Sequence, residues 1–164
     1  MSGLNLKEFY KGKGVLITGG TGFIGKVIIE KMLHDLPEVG QIYMLVRKKK
    51  GVTGVDRIKK EVLPSPVMDR LRERYGEKFE EFALSKITPV FGDVSADDVF
   101  ISQEAQEKLF DKVNIIIHSA ATISFSERLD KSIQLNIFGT MRMLEFAKKC
   151  KDFVSFCHIS TAYV

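Results

Sequence analysis

Short apolar runs alternate along the chain with longer stretches whose apolar residues recur at helical spacing. Such short runs are typical of strands buried on both faces of a parallel sheet, and their alternation with helices is typical of βαβ units. The pattern therefore predicts an α/β fold built on a doubly wound parallel sheet. The five predicted strands cover residues 14–18, 41–47, 86–91, 113–118 and 153–159.

Two stretches have the periodicity of amphipathic helices. In residues 24–36, Ile24, Ile28 and Met32 recur on one face, and Pro37 follows the last predicted residue. Residues 127–150 show the same spacing over a longer range. Because each stretch lies between two predicted strands, both are predicted to be crossover helices that pack against the sheet.

The connection over residues 51–85 is longer than the usual loop of an α/β unit. Two prolines and a glycine divide it into short amphipathic pieces, such as residues 68–75 and 77–84. These features predict a helical insertion between the second and third strands. The chain is interpreted as one domain over residues 1–164, with no second domain.

The first predicted strand leads into the segment TGGTGFIG, residues 18–25. Between a strand and a helix, glycines at this spacing permit a tight turn and let backbone amides approach a pyrophosphate at the positive end of the helix. The alternative is a glycine-rich turn that binds nothing. We predict the dinucleotide-binding turn of a Rossmann fold. The cofactor contacts predicted here are Thr18, Gly19, Gly22, Phe23, Ile24 and Gly25.

The residue that ends the second strand indicates which dinucleotide binds. A Rossmann fold that prefers NAD carries an acidic residue there, about 20 residues after the turn, to bind the ribose diol. This chain has Arg47, followed by Lys48, Lys49 and Lys50. A guanidinium binds a phosphate through two parallel hydrogen bonds. Arg47 therefore predicts NADP(H), with its side chain on the 2′-phosphate, whereas the lysines are interpreted as a solvated loop.

Composition excludes several classes of function. The net charge is only +4 and the basic residues are interleaved with acidic ones, so no nucleic-acid partner is predicted. Cys150 and Cys157 lack the spacing of metal ligands, and no metal site is predicted. No apolar run approaches the roughly 20 residues of a membrane span, and the first residues do not resemble a signal peptide. An intracellular protein is predicted.

Six segments together resemble the fatty acyl-coenzyme A reductases of the extended short-chain dehydrogenase/reductase superfamily. The resemblance covers nearly the whole chain, and its most specific part is the succession of HSAATISF, LNIFGT and HISTAY. The six segments are KGVLITGGTGFIGKVIIEKML, IYMLVRKKKG, GDVS, IIIHSAATISFSE, QLNIFGT and HISTAYV.

The resemblance implies cofactor contacts after the third and fourth strands. Asp93 and Val94 would contact the adenine, and the segment Ser119, Ala120 and Ala121 would line the adenosine and nicotinamide riboses. Asp93 has an alternative interpretation as a residue that caps its own loop.

It also implies roles for three polar residues nearer the reaction. Asn136 would help to hold the cofactor and a water, and Thr161, or as second choice Ser160, would supply the active-site hydroxyl. Alternatively, Asn136 bonds only neighbouring backbone and the Ser160–Thr161 pair merely ends a strand. No histidine is assigned a proton-transfer role.

The reaction implied by the resemblance is the NADPH-dependent reduction of a long-chain acyl-coenzyme A to a fatty alcohol. The family stabilises the developing oxyanion with a Ser or Thr hydroxyl and with the tyrosine of a YxxxK pair. Tyr163 has no lysine four residues later, because the sequence stops at Val164. We therefore expect a cofactor-binding N-terminal fragment that is inactive alone, with the acyl-binding and membrane-associating parts in the missing region.

A Rossmann strand order of 3-2-1-4-5 would leave the fifth strand as an open edge. In the intact protein the resemblance implies a location at the peroxisomal or endoplasmic reticulum membrane. Two other functions stay open: another extended reductase or epimerase, and a non-catalytic module that binds NADP.

Overall fold

The computed structural model describes residues 5–99, 102–124 and 126–161. Its centre is a five-stranded parallel sheet in the order β3-β2-β1-β4-β5. The predicted fold class, the five strands and their order are confirmed. The strands are β1 (Val15–Thr18), β2 (Ile42–Val46), β3 (Ile87–Phe91), β4 (Ile115–His118) and β5 (Ser155–His158).

Helices form the crossovers on both faces of the sheet, and one further helix precedes β1. They are α1 (Leu6–Tyr10), α2 (Phe23–Asp35), α3 (Gly54–Arg57), α4 (Asp69–Tyr75), α5 (Phe79–Lys86), α6 (Gln103–Phe110), α7 (Leu129–Ser132) and α8 (Gly139–Lys149). A π-helical turn, Ile58–Val62, follows α3, and a second, Ile133–Phe138, joins α7 to α8. Short 3₁₀ turns, Pro66–Met68 and Gly76–Lys78, stand on either side of α4.

The helices agree with most of the sequence prediction. The first crossover is α2, and the predicted long helix is α7, the π-helical turn and α8 in continuous succession. The insertion over residues 51–85 is helical, as predicted. The sequence analysis did not predict α1 or α6, and it did not single out α3 within the insertion. The pattern of α6, QEAQEKLF, is mostly polar, and Leu109 is its buried residue, so its apolar periodicity is too weak to stand out.

The core has two layers because successive side chains of a strand point to opposite faces. In β1, Ile17 packs with the layer formed by α2, α4 and α5, whereas Leu16 packs with the layer formed by α6 and α8. Both side chains are fully buried. The sheet is thus covered on both sides, and its carboxyl ends are left to form a site.

The two outer strands differ from the inner ones. Pro89 lies in β3, where it is tolerated because β3 pairs only with β2 within the described chain. All four residues of β1 and of β4 are buried, whereas Cys157 and His158 of β5 are exposed. Within the described residues β5 is therefore an edge strand, as predicted.

Candidate functional site

Two glycines, one in the turn after β1 and one in the first turn of α2, have no room for a side chain. Gly19 has a φ of +72°, and a Cβ there would lie 2.7 Å from the carbonyl atoms of Ser119. A Cβ at Gly25 would lie 2.3 Å from the carbonyl oxygen of Gly19. The absence of both side chains brings the turn, the loop after β4 and the first turn of α2 into direct contact.

The N-terminus of α2 has unsatisfied donors. The helix begins after Gly22, a cap residue with no side chain to accept a hydrogen bond from the first amides. Its first turn contains no acidic residue. Among the described residues, the amides of Phe23, Ile24 and Gly25 donate to no acceptor. Free amides and the positive end of the helix dipole together form an anion site beside the glycine turn.

Gly22, which caps α2 beside this anion site, lines a cavity of about 230 Å³ at the carboxyl ends of β1, β2, β3 and β4. The cavity joins the segments that follow four strands, which are far apart in the sequence. Of the residues predicted to contact the cofactor, those that line it are Thr18, Gly19, Gly22, Arg47, Asp93, Val94, Ser119, Ala120 and Ala121. The other lining residues are Thr21, Leu45, Val46, Arg57, Gly92 and Leu135.

The remaining predicted site residues lie outside the cavity lining. The side chain of Phe23 is 72% exposed, and Gly25 is buried against the turn. Ser160 and Thr161 follow β5 and are exposed. Ile24 is also exposed, and Asn136 lies in the π-helical turn before α8. Tyr163 lies outside the described residues.

Arg57 is a cavity-lining cation that the sequence analysis missed. Only 6% of the residue is exposed, and its guanidinium donates to the carbonyl oxygen of Arg47 at 2.7 Å and to Glu61 at 2.6 Å. The side chain thus ties α3 to the end of β2. Little in the sequence indicated this contact, because Arg57 lies in the insertion and no pattern there predicted contact with the end of β2.

The charges around Arg57 are balanced, whereas those around Arg47 are not. Glu61 accepts from Arg57 and from Lys49, and these hydrogen bonds lower the pKa of Glu61 to about 2. Among the described residues, no carboxylate lies within ion-pair distance of the Arg47 guanidinium. The exposed Arg47 is therefore free to bind an anion at the end of β2.

Beneath the cavity, the strand ends are joined by buried polar groups. His118 is fully buried, with its Nδ1 2.8 Å from the Thr18 hydroxyl and its Nε2 3.2 Å from the Thr140 hydroxyl. Burial, with a smaller contribution from His158, lowers the pKa of His118 to about 4. The imidazole is therefore neutral at physiological pH.

Two predicted site residues hold loops beside the cavity through their side chains. Asp93 accepts from the backbone amide and hydroxyl of Ser95 at 2.9 and 2.6 Å, the capping role that the sequence analysis left open. The side chain of Asn136 accepts from the amide of Thr122 at 2.9 Å and donates to its carbonyl oxygen at 3.1 Å. Both side chains thus shape segments beside the cavity.

The family was identified by comparison with known proteins. A family model for an NAD-binding domain, described as "Male sterility protein", matches residues 17–164. The chain belongs to the male sterility protein family. This match confirms the Rossmann-type assignment and supports a nicotinamide dinucleotide as the cofactor of the cavity.

Curated proteins similar to this chain are fatty acyl-CoA reductases. It is 39% identical over 162 residues to fatty acyl-CoA reductase 2, chloroplastic, of Arabidopsis thaliana, covering 99% of this chain and 26% of that protein. It is 40% identical over 160 residues to fatty acyl-CoA reductase 1 of Homo sapiens, covering 98% of this chain and 30% of that protein. The resemblance stated from the sequence is confirmed, and the chain spans between a quarter and a third of the length of these relatives.

Solved structures of reductase domains share the fold. The reductase domain of a non-ribosomal peptide synthetase from Mycobacterium tuberculosis is 28% identical with a TM-score of 0.68, covering 92% of this chain and 33% of that one. A thiolation-reductase di-domain of an archaeal non-ribosomal peptide synthetase is 26% identical with a TM-score of 0.66, covering 92% and 28%. This member of the male sterility protein family therefore has the fold of known reductase domains.

Two further properties concern only the part of the chain that the structure describes. None of its helices has both the length and the apolar character needed to cross a bilayer. It contains no group of three or more His, Cys, Asp or Glu side chains arranged to hold a metal ion.

Proposed function

We propose that this segment binds NADP(H) in an enzyme that reduces long-chain fatty acyl-coenzyme A to fatty alcohol. The observation that carries the proposal is one continuous cavity. It extends from Gly22, the residue that caps the N-terminus of α2, to two arginines, Arg47 and Arg57, beside the end of β2. The first feature suits a diphosphate and the second a phosphate on the adenosine ribose.

The diphosphate would lie over the glycine turn. The free amides of Phe23, Ile24 and Gly25 would donate to its oxygens, and the absence of acidic residues in the first turn of α2 preserves the attraction. Phe23 and Ile24 would thus contact the cofactor through their backbone, and their exposed side chains are compatible with that role.

The 2′-phosphate would lie against Arg47. Arg57 donates to the carbonyl oxygen of Arg47 and is neutralised by Glu61, so it would hold the backbone from which the Arg47 side chain projects. An uncompensated guanidinium at this place favours a ligand with a dianionic group over one with a neutral diol. This contrast supports NADP(H) rather than NAD(H).

The cofactor would supply the hydride. The loop of Ser119, Ala120 and Ala121 would line its riboses, and Thr161 or Ser160 would donate a hydroxyl hydrogen bond to the oxyanion that develops on the substrate. The acyl-coenzyme A substrate and alcohol product come from the names of the relatives and the resemblance of the motifs. They are proposals for the whole enzyme, of which this chain is similar to one part.

Calorimetric titration of the purified chain tests the cofactor. NADPH is expected to bind at least tenfold more tightly than NADH, because about 1.5–3 kcal/mol is typical of a hydrogen bond to a charged group and about 1.4 kcal/mol corresponds to a factor of ten. The nucleotide 2′,5′-ADP, which carries the 2′-phosphate without the nicotinamide, is expected to compete with NADPH. Absence of heat with every dinucleotide from a folded sample would refute the proposal.

A segment exchange tests the reductase activity. Replacing the matching 160 residues of the Homo sapiens reductase with residues of this chain is expected to give an enzyme that oxidises NADPH in the presence of palmitoyl-coenzyme A and forms the alcohol. The unmodified Homo sapiens enzyme is the positive control. A hybrid that binds NADPH but transfers no hydride would favour a non-catalytic dinucleotide-binding module.

A further inference from the structure

A continuous chain of side-chain hydrogen bonds runs beneath the cavity, from β1 to α8. The hydroxyl of Thr18 contacts His118 Nδ1 at 2.8 Å, and His118 Nε2 contacts the hydroxyl of Thr140 at 3.2 Å. Thr140 in turn donates to the carbonyl oxygen of Asn136 at 2.9 Å. The Thr18 hydroxyl also accepts from the backbone amides of Ser119 and Ala120 at 3.2 and 3.1 Å.

The number of lone pairs determines the direction of every bond in this chain. A hydroxyl has one hydrogen and two lone pairs, and two amides donate to the hydroxyl of Thr18, that of Ser119 being shared with the Thr18 carbonyl oxygen at 3.3 Å. Thr18 must therefore donate to His118 Nδ1, which leaves Nδ1 without a proton. The neutral ring then carries its proton on Nε2 and donates it to Thr140, whose own proton is directed at Asn136.

These hydrogen bonds close into a ring around the loop that follows β4. At one end, Thr18 holds the amides of Ser119 and Ala120. At the other end, the side-chain amide of Asn136 makes two hydrogen bonds to the backbone of Thr122. The four-residue segment 119–122 is thus held from both sides, and His118 is the link between the two holding groups.

We propose that His118, as the Nε2–H tautomer, is a positioning residue that sets the conformation of segment 119–122 for cofactor binding. It does not contact the cofactor itself, because it is fully buried and is not among the residues that line the cavity. This inference rests on the proposed function, since it assigns a role to residues beneath the NADP(H) cavity. The positioning role accounts for a buried histidine to which no proton transfer is assigned.

A matched pair of variants at Thr140 tests the inference away from the cavity. Thr140→Val removes the acceptor of the Nε2 proton with little change of shape, whereas Thr140→Ser retains the hydroxyl. Thr140 is not a lining residue of the described cavity. We expect Thr140→Val to bind NADPH roughly tenfold more weakly than Thr140→Ser. In Thr140→Val the buried Nε2–H of His118 loses its acceptor, and segment 119–122 is no longer held in one conformation. Equal affinities of the two variants would overturn the inference.

A spectroscopic measurement tests the same inference without a ligand. In the ¹⁵N-labelled chain, long-range ¹H–¹⁵N correlation of the imidazoles is expected to identify the Nε2–H tautomer of His118 near pH 7. The chain has three histidines, and a His118→Asn variant identifies the signals that belong to His118. We expect Thr140→Val to give a mixture of tautomers and Thr140→Ser to retain the single one. An Nδ1–H or doubly protonated ring in the unsubstituted chain would overturn the assignment.

The two measurements separate this inference from the proposed function. If the unsubstituted chain binds no dinucleotide, the proposed function is wrong, and the tautomer measurement still decides whether the hydrogen-bond chain exists as described. If the unsubstituted chain binds NADPH and both Thr140 variants bind it equally well, the cofactor assignment stands and the positioning role of His118 is wrong.

Discussion

Arg47→Glu is expected to weaken NADPH binding by about a hundredfold or more while leaving NADH binding within a fewfold of its original value. The substitution removes a charge-assisted hydrogen bond of about 1.5–3 kcal/mol and puts a carboxylate beside the 2′-phosphate, and each 1.4 kcal/mol corresponds to a factor of ten. Calorimetric titration of both dinucleotides measures the ratio of the two dissociation constants directly.

The matched control is Lys50→Glu, which changes the net charge by the same amount. Lys50 is exposed and is not among the residues that line the cavity. This control variant is expected to change NADPH binding by less than about threefold, because solvent screens exposed charges that lie apart from the ligand. Similar losses of NADPH and NADH binding in Arg47→Glu would contradict the assignment of Arg47 to the 2′-phosphate.

The second large effect is expected from Gly19→Ala. The substitution forces a side chain into a left-handed backbone with a φ of +72° and brings its Cβ to 2.7 Å from the carbonyl of Ser119. The backbone conformation costs about 1 kcal/mol and overpacking against rigid atoms typically 1–3 kcal/mol. We expect a loss of about 3 kcal/mol in the free energy of unfolding and a melting temperature lower by roughly 6–12 °C.

Gly51→Ala separates the two causes of this loss. Gly51 also has a φ of +72°, but a Cβ there would meet nothing within 4 Å. This control is therefore expected to lose only about 1 kcal/mol, measured by the same thermal and denaturant unfolding. Gly19→Ala is further expected to bind NADPH much more weakly than Gly51→Ala, because the turn can no longer lie against the loop after β4. Equal losses in the two variants would show that close packing at Gly19 is unimportant.

Much of the fold followed from local sequence patterns. The strands are short and apolar, and the runs of β1 and β4 are buried along their whole length, so hydrophobic periodicity was a sufficient signal. The first crossover was equally clear in the spacing of residues 24–36. By contrast, α6 has a single buried residue, Leu109, and half of its residues are exposed. A helix with so narrow an apolar face leaves little periodicity to detect.

The structure brings together those predicted site residues that the backbone positions. The glycine turn, Arg47 and the loop of residues 119–121 line one cavity because parallel strands bring their carboxyl ends to one edge of the sheet. Arg57 was missed because it returns to that edge from within the insertion. The side-chain contacts of Asn136 could not be predicted, because its partner, Thr122, belongs to a loop whose path depends on the whole sheet.

The sequence by itself determined the order of the strands, the two long crossover helices, the glycine turn and the cation at the end of β2. These depend on residues that are close together in the chain and on the fixed geometry of parallel strands. Only the tertiary structure decided how the polar residues share their hydrogen bonds. Thr18 and His118 are 100 residues apart, and the direction of their bond follows from two further amides that donate to the same hydroxyl. Such a network depends on the simultaneous arrangement of several atoms in a buried space, which no local pattern of residues encodes.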